Sequence, residues 1–236
     1  MLSCGALLQR DEPVDVLNVF VGEPGPDVRT AWDVRRGFDD SRESVDARRL
    51  EDDAAFAGTP HRRFFLPLLD HQYQGRRPDA DRDVLSDFIR QWASGHEGGR
   101  IVLPLGGGRS ARTLRRGPLD RVLPPRRPAP HPDHEFVRDV GLAALRDVPG
   151  ARPILFEEYP YVLGERRLLV PAAPAAGGPW ALVEIEVAVD RDEKLRRLDA
   201  YSSQLAPREG EIDWLRRMPR LERYWVLTRR EGLDAR

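Results

Sequence analysis

The sequence has 236 residues, which is long enough for one substantial α/β domain and short for two. Lysine and arginine together number 38 against 39 acidic residues, so the net charge of -1 gives no general attraction to nucleic acid or to an anionic membrane, and no nucleic-acid partner is expected. The single cysteine, Cys4, excludes an internal disulfide and a cysteine-based zinc site, and it favours a reducing, cytoplasmic location. No apolar stretch approaches the roughly 20 residues that cross a bilayer, so no transmembrane segment is expected.

Hydrophobic periodicity and turn residues predict strands that alternate with helices along the chain. The apolar, β-branched run at 14–21 predicts a buried strand, and a loop is expected after it through Trp32 and Phe38. Further strands are predicted at 62–69, 100–105, 153–157 and 181–189. In the last of these, Val183 and Ile185 are expected to face the core. Helices are predicted at 41–57, 81–93, about 134–146 and 191–205.

This alternation predicts an α/β fold, with a mostly parallel sheet covered by helices on both faces and formed by residues 1–236 as a single domain. In such sheets, ligands bind at the carboxyl ends of the strands. Two polar segments follow strands here: Asp70 after the strand at 62–69, and residues 131–134 after the strand at 100–105. We therefore expect functional residues at these two places.

The segment His131-Pro132-Asp133-His134 contains two of the five histidines. If a helix begins near Pro132, the spacing of three places both imidazoles on one side of its first turn. One imidazole can then bind a metal ion while the other polarises a bound carbonyl, and Asp133 can orient an imidazole as a supporting carboxylate. Asp133 is equally suited to cap the helix N-terminus. Taken alone, the segment is more often structural than metal-binding.

The other candidate segments predict structural roles. His61, His71 and His96 lie at the ends of predicted elements and are expected to be surface or capping residues. The triple glycine at 106–108 lacks the Lys-Ser/Thr of a P-loop and the G-x-G-x-x-G spacing, so it predicts a loop over a site. The Pro/Arg-rich stretch at 117–130 is incompatible with regular structure.

Several short motifs occur in the same order as in the PIG-L/LmbE family of N-deacetylases. Over nearly the whole chain, the segments LSCGALL, VDVLNVFVGEP, ARRLEDDAAF, LPLLDHQY, HPDH, EEYPYV and DEKLRRLDAYSSQL each resemble one segment of the family. Single motifs of this kind are weak, but their order makes the chain similar to a family member. The resemblance implies a Rossmann-like sheet and a zinc hydrolase that removes the acetyl group from N-acetylglucosamine-type sugars or glycoconjugates.

In that resemblance the HPDH segment is the distal catalytic motif. His134 corresponds to a zinc ligand and His131 to the histidine that stabilises the tetrahedral oxyanion, and Asp133 is counted with the catalytic residues. Zinc polarises the amide carbonyl and makes water nucleophilic at neutral pH. A carboxylate serves as general base toward the water and then as acid toward the leaving amine.

Two further residues are assigned to the substrate, a small-molecule amino-sugar conjugate. Arg48 corresponds to the arginine that holds the substrate, and Asp70 lies at a strand end near the site. For Arg48, an ion pair with Asp52 one helical turn further on is an equally good structural alternative.

The family's first strand and its P-H-P-D-D segment have no counterpart after Met1. In the family this segment supplies two zinc ligands and the general base, and catalytic zinc usually has three protein ligands. We therefore expect the encoded protein to begin upstream of Met1. An upstream stop codon with no P-H-P-D-D in frame would contradict this. The alternative is a metal-free, catalytically inactive member of the family that binds carbohydrate or serves as a scaffold.

Overall fold

The structure, a computed structural model, describes residues 3–106, 131–159, 180–205, 215 and 218–229. The chain divides into two compact units. The first unit comprises Met1–Asp83 and Ala188–Glu222, and the second comprises Val84–Val187 and Arg223–Arg236. Each unit contains a pair of parallel strands together with helices, which confirms the predicted α/β fold. The single-domain organisation stays a prediction.

Helices and strands follow one another along the described part of the chain. The helices are α1 (Gly5–Leu8), α2 (Ala31–Arg36), α3 (Ser41–Phe56), α4 (Asp79–Gly95), α5 (Pro132–Leu145), α6 (Arg191–Leu198) and α7 (Ser202–Leu205), with 3-10 turns at His71–Tyr73 and Asp199–Tyr201. The strands are β1 (Asp15–Asn18), β2 (Arg62–Phe65), β3 (Arg100–Pro104), β4 (Arg152–Phe156), β5 (Trp180–Ala188) and β6 (Leu221–Arg229). Within the described ranges, no helix has both the length and the apolar character needed to cross a membrane.

In the first unit, β1 and β2 pair in parallel, with Asp15 opposite Arg62 and Asn18 opposite Phe65. These strands confirm the predictions at 14–21 and 62–69, although both are shorter. The end of α3 packs in a small core formed by Leu8, Ala55 and Phe56, with partly buried apolar side chains around it. The helix predicted at 41–57 is therefore confirmed, and its C-terminal end is part of this core.

The loop expected through Trp32 is instead interrupted by α2. Its N-cap Thr30 and the residue three positions on, Asp33, form a reciprocal capping box, and Gly37 ends the helix in the left-handed region with φ of 83°. Asp33 is fully buried and accepts hydrogen bonds from the Thr30 backbone N–H at 2.8 Å, the Thr30 hydroxyl at 2.7 Å and the Ser41 hydroxyl at 2.6 Å. A six-residue helix thus depends on one carboxylate.

Stability is expected to depend on pH through Asp33. Burial by itself raises the pKa of Asp33, but hydrogen bonds from Ser41 and Thr30 outweigh it and hold that pKa below its ordinary value. The stabilisation is therefore complete above the unfolded pKa of about 3.9 and is lost as pH falls through the lower folded pKa. Urea denaturation of Asp33→Asn should show a loss of about 2 kcal/mol at pH 7 that vanishes at strongly acid pH.

The matched control is Asp39→Asn, which changes an exposed aspartate just beyond the same helix. Its effect should stay within about 0.5 kcal/mol at every pH. An Asp33→Asn deficit that persisted unchanged into strong acid would contradict the assignment of the stabilisation to the ionised carboxylate.

The second unit contains a four-stranded sheet in the order β3-β4-β6-β5. Strands β3 and β4 are parallel, with Val102 opposite Ile154, and β4 and β6 are antiparallel. Helix α5 lies close against β3, because a Cβ added at Gly141 would come within 2.7 Å of the Leu103 side chain. The strands at 100–105 and 153–157 are confirmed, whereas β6 was not predicted.

The predicted buried face of the strand at 181–189 is wrong at Val183 and Ile185, whereas Val189 at its end is buried. Val183 and Ile185 are 50% and 38% exposed, although their alternation with glutamates indicated a core-facing row. The glutamates of the opposite face pair with the neighbouring strand, because Arg223 contacts Glu184 at 3.0 Å and Glu186 at 2.5 Å. Alternation identifies the two faces of a strand, but it does not specify which face the rest of the fold covers.

The helix predicted at 191–205 is divided into α6, a 3-10 turn and α7. Its only lysine, Lys194, is 1% exposed and forms a buried ion pair with Glu222. The same carboxylate accepts hydrogen bonds from the backbone N–H groups of Gly5 at 3.0 Å and Ala6 at 2.9 Å. Glu222 therefore joins α1, α6 and β6 through three donors.

Candidate functional site

The histidine segment forms the start of α5. His131 is the N-cap, Pro132 is the first helical residue, and the rings of His131 and His134 stack with centroids 4.3 Å apart and an interplanar angle of 25°. The expectation that a spacing of three brings both imidazoles to one side is confirmed. The alternative that Asp133 caps the helix is wrong, because the N-cap is His131 and Asp133 lies inside the first turn. There its negative charge interacts favourably with the positive end of the helix dipole.

The carboxyl end of β3 lies beside this helix. Arg138 of α5 is buried and donates a hydrogen bond to the Leu105 carbonyl at 3.0 Å. Gly106 follows with φ of 99°, a region that favours glycine, and a Cβ there would come within 2.3 Å of the Arg138 guanidinium. The first glycine of the triplet is therefore required for a close approach. The rest of the predicted glycine loop and the Pro/Arg-rich stretch lie outside the described residues.

Glu158 is a functional candidate that the sequence did not single out. It follows β4, is 2% exposed, and accepts a hydrogen bond from the Gly106 backbone N–H at 2.7 Å through Oε1. The same oxygen lies 3.3 Å from His134 Nδ1. The available signal was its position, because two consecutive glutamates end an apolar strand at the edge where ligands bind in α/β sheets.

The residues at this helix start offer the nitrogen and oxygen donors that zinc uses in proteins. The imidazole of His131 and the carboxylate of Asp133 present ligand atoms within 4.8 Å of each other, and Asp133 is 2% exposed. Glu158 lies beside Nδ1 of His134, so Nε2 is the ring nitrogen of His134 that does not face Glu158. The donor set fits a zinc ion chemically. Which of the three residues binds the metal stays a prediction.

In the first unit the structure brings Arg48 and Asp70 together. Arg48 Nη1 lies 3.7 Å from Asp70 Oδ2, and Arg48 Nη2 donates a hydrogen bond to the Tyr73 hydroxyl at 2.7 Å. Asp70 caps the 3-10 turn by accepting a hydrogen bond from the Gln72 N–H, and it lies 3.1 Å from His71 Nδ1. The two residues predicted to bind substrate are thus neighbours, held by the turn after β2.

Asp52, the alternative partner of Arg48, is occupied by other groups. Asn18 donates to its carboxylate at 2.9 Å, Arg63 at 3.1 Å and the Tyr201 hydroxyl at 2.7 Å. Burial and the adjoining Asp52 charge raise the pKa of Tyr201 well above its ordinary value, so its hydroxyl remains a donor. The ion pair that Arg48 forms in the structure is with Asp70.

Tyr73→Phe is expected to loosen Arg48. Burial raises the pKa of the Tyr73 hydroxyl despite the charge of Arg48, so the group is neutral and accepts the guanidinium hydrogen bond. Removing it should cost about 1.5 kcal/mol in the free energy of unfolding, since hydrogen bonds to charged groups contribute about 1.5–3 kcal/mol and Arg48 is partly exposed. Urea denaturation measures the loss. In an Arg48→Met background the same change should cost almost nothing, whereas equal costs in both backgrounds would exclude the coupling.

The chain is similar to several solved protein structures. No protein-family model and no curated protein matches the chain. The zinc-inhibited form of teicoplanin deacetylase is similar with a TM-score of 0.66 and 23% identity, over 98% of this chain and 94% of that one. The A40926 pseudoaglycone deacetylase has a TM-score of 0.68 and 21% identity, over 98% and 93%. A deacetylase–teicoplanin complex has a TM-score of 0.63 and 22% identity, over 98% and 95%. At these identities the similarity establishes the fold.

Proposed function

We propose that the chain is a zinc-dependent hydrolase of the PIG-L/LmbE type that removes the acetyl group from an N-acetylglucosamine-type amino sugar or glycoconjugate. The observation that carries the proposal is the cluster of His131, Asp133 and His134 at the start of α5, beside the carboxyl end of β3. This cluster lies in a fold that, over 98% of the chain, is similar to the folds of the teicoplanin deacetylase and the A40926 pseudoaglycone deacetylase. The metal-free binding or scaffold alternative has no comparable support.

The residues of α5 are assigned roles by their positions. When bound, zinc supplies a Lewis acid for the acetyl carbonyl and makes water nucleophilic at neutral pH. His134 is proposed as the ligand from this segment, through Nε2. His131 is proposed to donate a hydrogen bond to the oxygen that gains negative charge as the carbonyl becomes tetrahedral. Asp133, close to the His131 ring and buried, is proposed to orient that imidazole.

Arg48 and Asp70 are proposed to bind the sugar. The Arg48 guanidinium presents several donors in a fixed plane, and the Asp70 carboxylate accepts hydrogen bonds from hydroxyl groups. Their 3.7 Å separation and the Tyr73 hydrogen bond hold both groups in place before any substrate arrives. A preorganised pair of this kind suits a small polar ligand, so the proposed partner is a small molecule and includes neither nucleic acid nor a membrane. A cytoplasmic location remains part of the proposal.

Two substrate sources share this chemistry. The solved relatives are named for teicoplanin and for the A40926 pseudoaglycone, so a glycopeptide-linked N-acetyl sugar is one proposed substrate and a small N-acetylglucosamine conjugate is the other. Acetate release should be measured with both classes. The relative rates select the physiological class without affecting the assignment of the reaction.

Zinc dependence tests the proposal. The chain that begins at Met1 and the chain extended by the reading frame upstream of it should be stripped with a chelator and titrated with zinc, starting below one equivalent because one relative is a zinc-inhibited form. Acetate release by the active preparation should rise with bound zinc up to one ion per chain. Full activity in metal-free protein, or stoichiometric zinc with no hydrolysis of any N-acetyl sugar tested, would refute the proposed function.

A further inference from the structure

The carboxylate of Glu158 is fixed independently of the histidine that it faces. Gly106 donates its backbone N–H to Oε1 at 2.7 Å, and the position of Gly106 is itself determined by the Arg138 hydrogen bond to the preceding carbonyl. Gly106 also lies directly against the Arg138 guanidinium, which a Cβ at this position would contact. Oε1 is therefore held at the end of β3 by backbone and by a buried side chain.

His134 Nδ1 lies 3.3 Å from that same oxygen, which is within ion-pair distance but is not an aligned hydrogen bond. At this distance a carboxylate oxygen repels the lone pair of an unprotonated ring nitrogen, so the arrangement favours the tautomer with its proton on Nδ1. In a neutral imidazole only one nitrogen is protonated, and a proton on Nδ1 leaves the lone pair on Nε2. A neutral histidine binds a metal ion through this lone pair.

We infer that Glu158 is a positioning residue that sets the tautomer and ring orientation of His134, so that Nε2 is presented as the ligand atom. The consequence for zinc rests on the proposed function, whereas the tautomer does not. Carboxylates that hold a ligating histidine in this way typically contribute 10–100-fold to metal affinity. The sequence-based expectation gave the supporting role to Asp133 alone. The structure adds a second carboxylate, with Asp133 near His131 and Glu158 beside His134.

The tautomer is measurable in the metal-free protein by long-range proton–nitrogen NMR of 15N-histidine-labelled chain at pH 8. The chain has five histidines, and the His134 signals are identified by their loss in His134→Asn. In the wild-type chain we expect Nδ1 to carry the proton. Glu158→Leu should move it predominantly to Nε2, whereas Glu158→Gln should leave it on Nδ1, because the Gly106 N–H selects the amide oxygen at the position of Oε1.

Zinc affinity by chelator competition gives a second readout. Glu158→Leu should weaken zinc binding about a hundredfold and Glu158→Gln about tenfold, since glutamine keeps the acceptor and loses the charge. Circular dichroism checks that each variant is folded. If Glu158→Leu is not folded, the zinc affinity of Glu158→Gln carries the test, and an affinity equal to that of wild type overturns the inference. A wild-type His134 protonated on Nε2, or a proton on Nδ1 that persists in folded Glu158→Leu, overturns the inference while leaving the proposed function intact. The expected tautomers in a chain that binds no zinc support the positioning role and refute the proposed function instead.

Discussion

Replacing His134 by asparagine is expected to reduce zinc affinity by more than about a hundredfold and to bring acetate release to background. Supporting residues that only orient a ligand contribute about 10–100-fold, so removal of a direct ligand should cost more. The imidazole is partly exposed at the helix start, with a side-chain accessibility of 29%, so asparagine can occupy the position without disturbing the core. Chelator competition and an acetate assay measure the two losses on one preparation.

The matched control is His96→Gln, which changes a histidine of the same unit. His96 lies at the end of α4, and its ring stacks on Trp92 with centroids 4.4 Å apart. Zinc affinity and acetate release should be unchanged in this variant. If His134→Asn and His96→Gln behaved alike, the metal assignment at the start of α5 would be wrong.

Replacing Lys194 by methionine is expected to destabilise the fold by about 3–5 kcal/mol, because it leaves the buried Glu222 carboxylate without its cation. For a protein of this size that corresponds to a fall in Tm of roughly 6–20 °C. The backbone N–H groups of Gly5 and Ala6 still donate to the carboxylate, but two neutral donors do not replace a charge. Thermal unfolding followed by circular dichroism measures the change.

Two further variants separate the buried charge from the loss of packing. In Lys194→Met with Glu222→Gln no charge remains buried. The amide oxygen can still accept from either Gly5 or Ala6, which donate to different oxygens of Glu222, so part of the stability should return. Arg196→Ala removes a 69% exposed partner of Glu193 on the same helix and should change stability by less than about 0.5 kcal/mol. A double variant no more stable than Lys194→Met would show that packing, and not charge, sets the cost.

The elements with strong periodicity could be predicted from the sequence. The apolar face of α4 and the short apolar runs of β3 and β4 carry their own signal, because a buried helix face or buried strand needs those residues wherever the chain goes. Helix α2 had a readable signal as well, the capping pair of Thr30 and Asp33 followed by Gly37. Its six residues are too few for apolar periodicity to show, which is why a loop was expected.

Other predictions could not be settled from the sequence because they depended on long-range contacts. Val183 and Ile185 are exposed although they alternate with glutamates, because sequence alternation does not specify which face of a strand the rest of the fold covers. The choice of Asp70 over Asp52 as the partner of Arg48 depends on groups far away in sequence that already occupy Asp52.

The candidate site shows the same division. The stacking of His131 and His134 is a consequence of helical spacing and could be predicted once a helix start at Pro132 was assumed. The contact between Glu158 and His134 depends on the parallel register of β3 and β4, which brings the residues after both strands to one edge of the sheet. No local pattern encodes that register, so the second carboxylate could be recognised only in the folded chain.

The most direct test of the proposed deacetylase activity is the stoichiometry of amide hydrolysis. Zinc-loaded protein, both as the chain that begins at Met1 and as the chain with any in-frame upstream extension, should be incubated with an N-acetylglucosamine conjugate and with an N-acetylated glycopeptide, and acetate and free amine should be quantified together. We predict equal amounts of acetate and amine from at least one substrate class, with background release by His134→Asn. No acetate from either class, or equal release by wild type and His134→Asn, would contradict a zinc deacetylase whose metal site includes the start of α5.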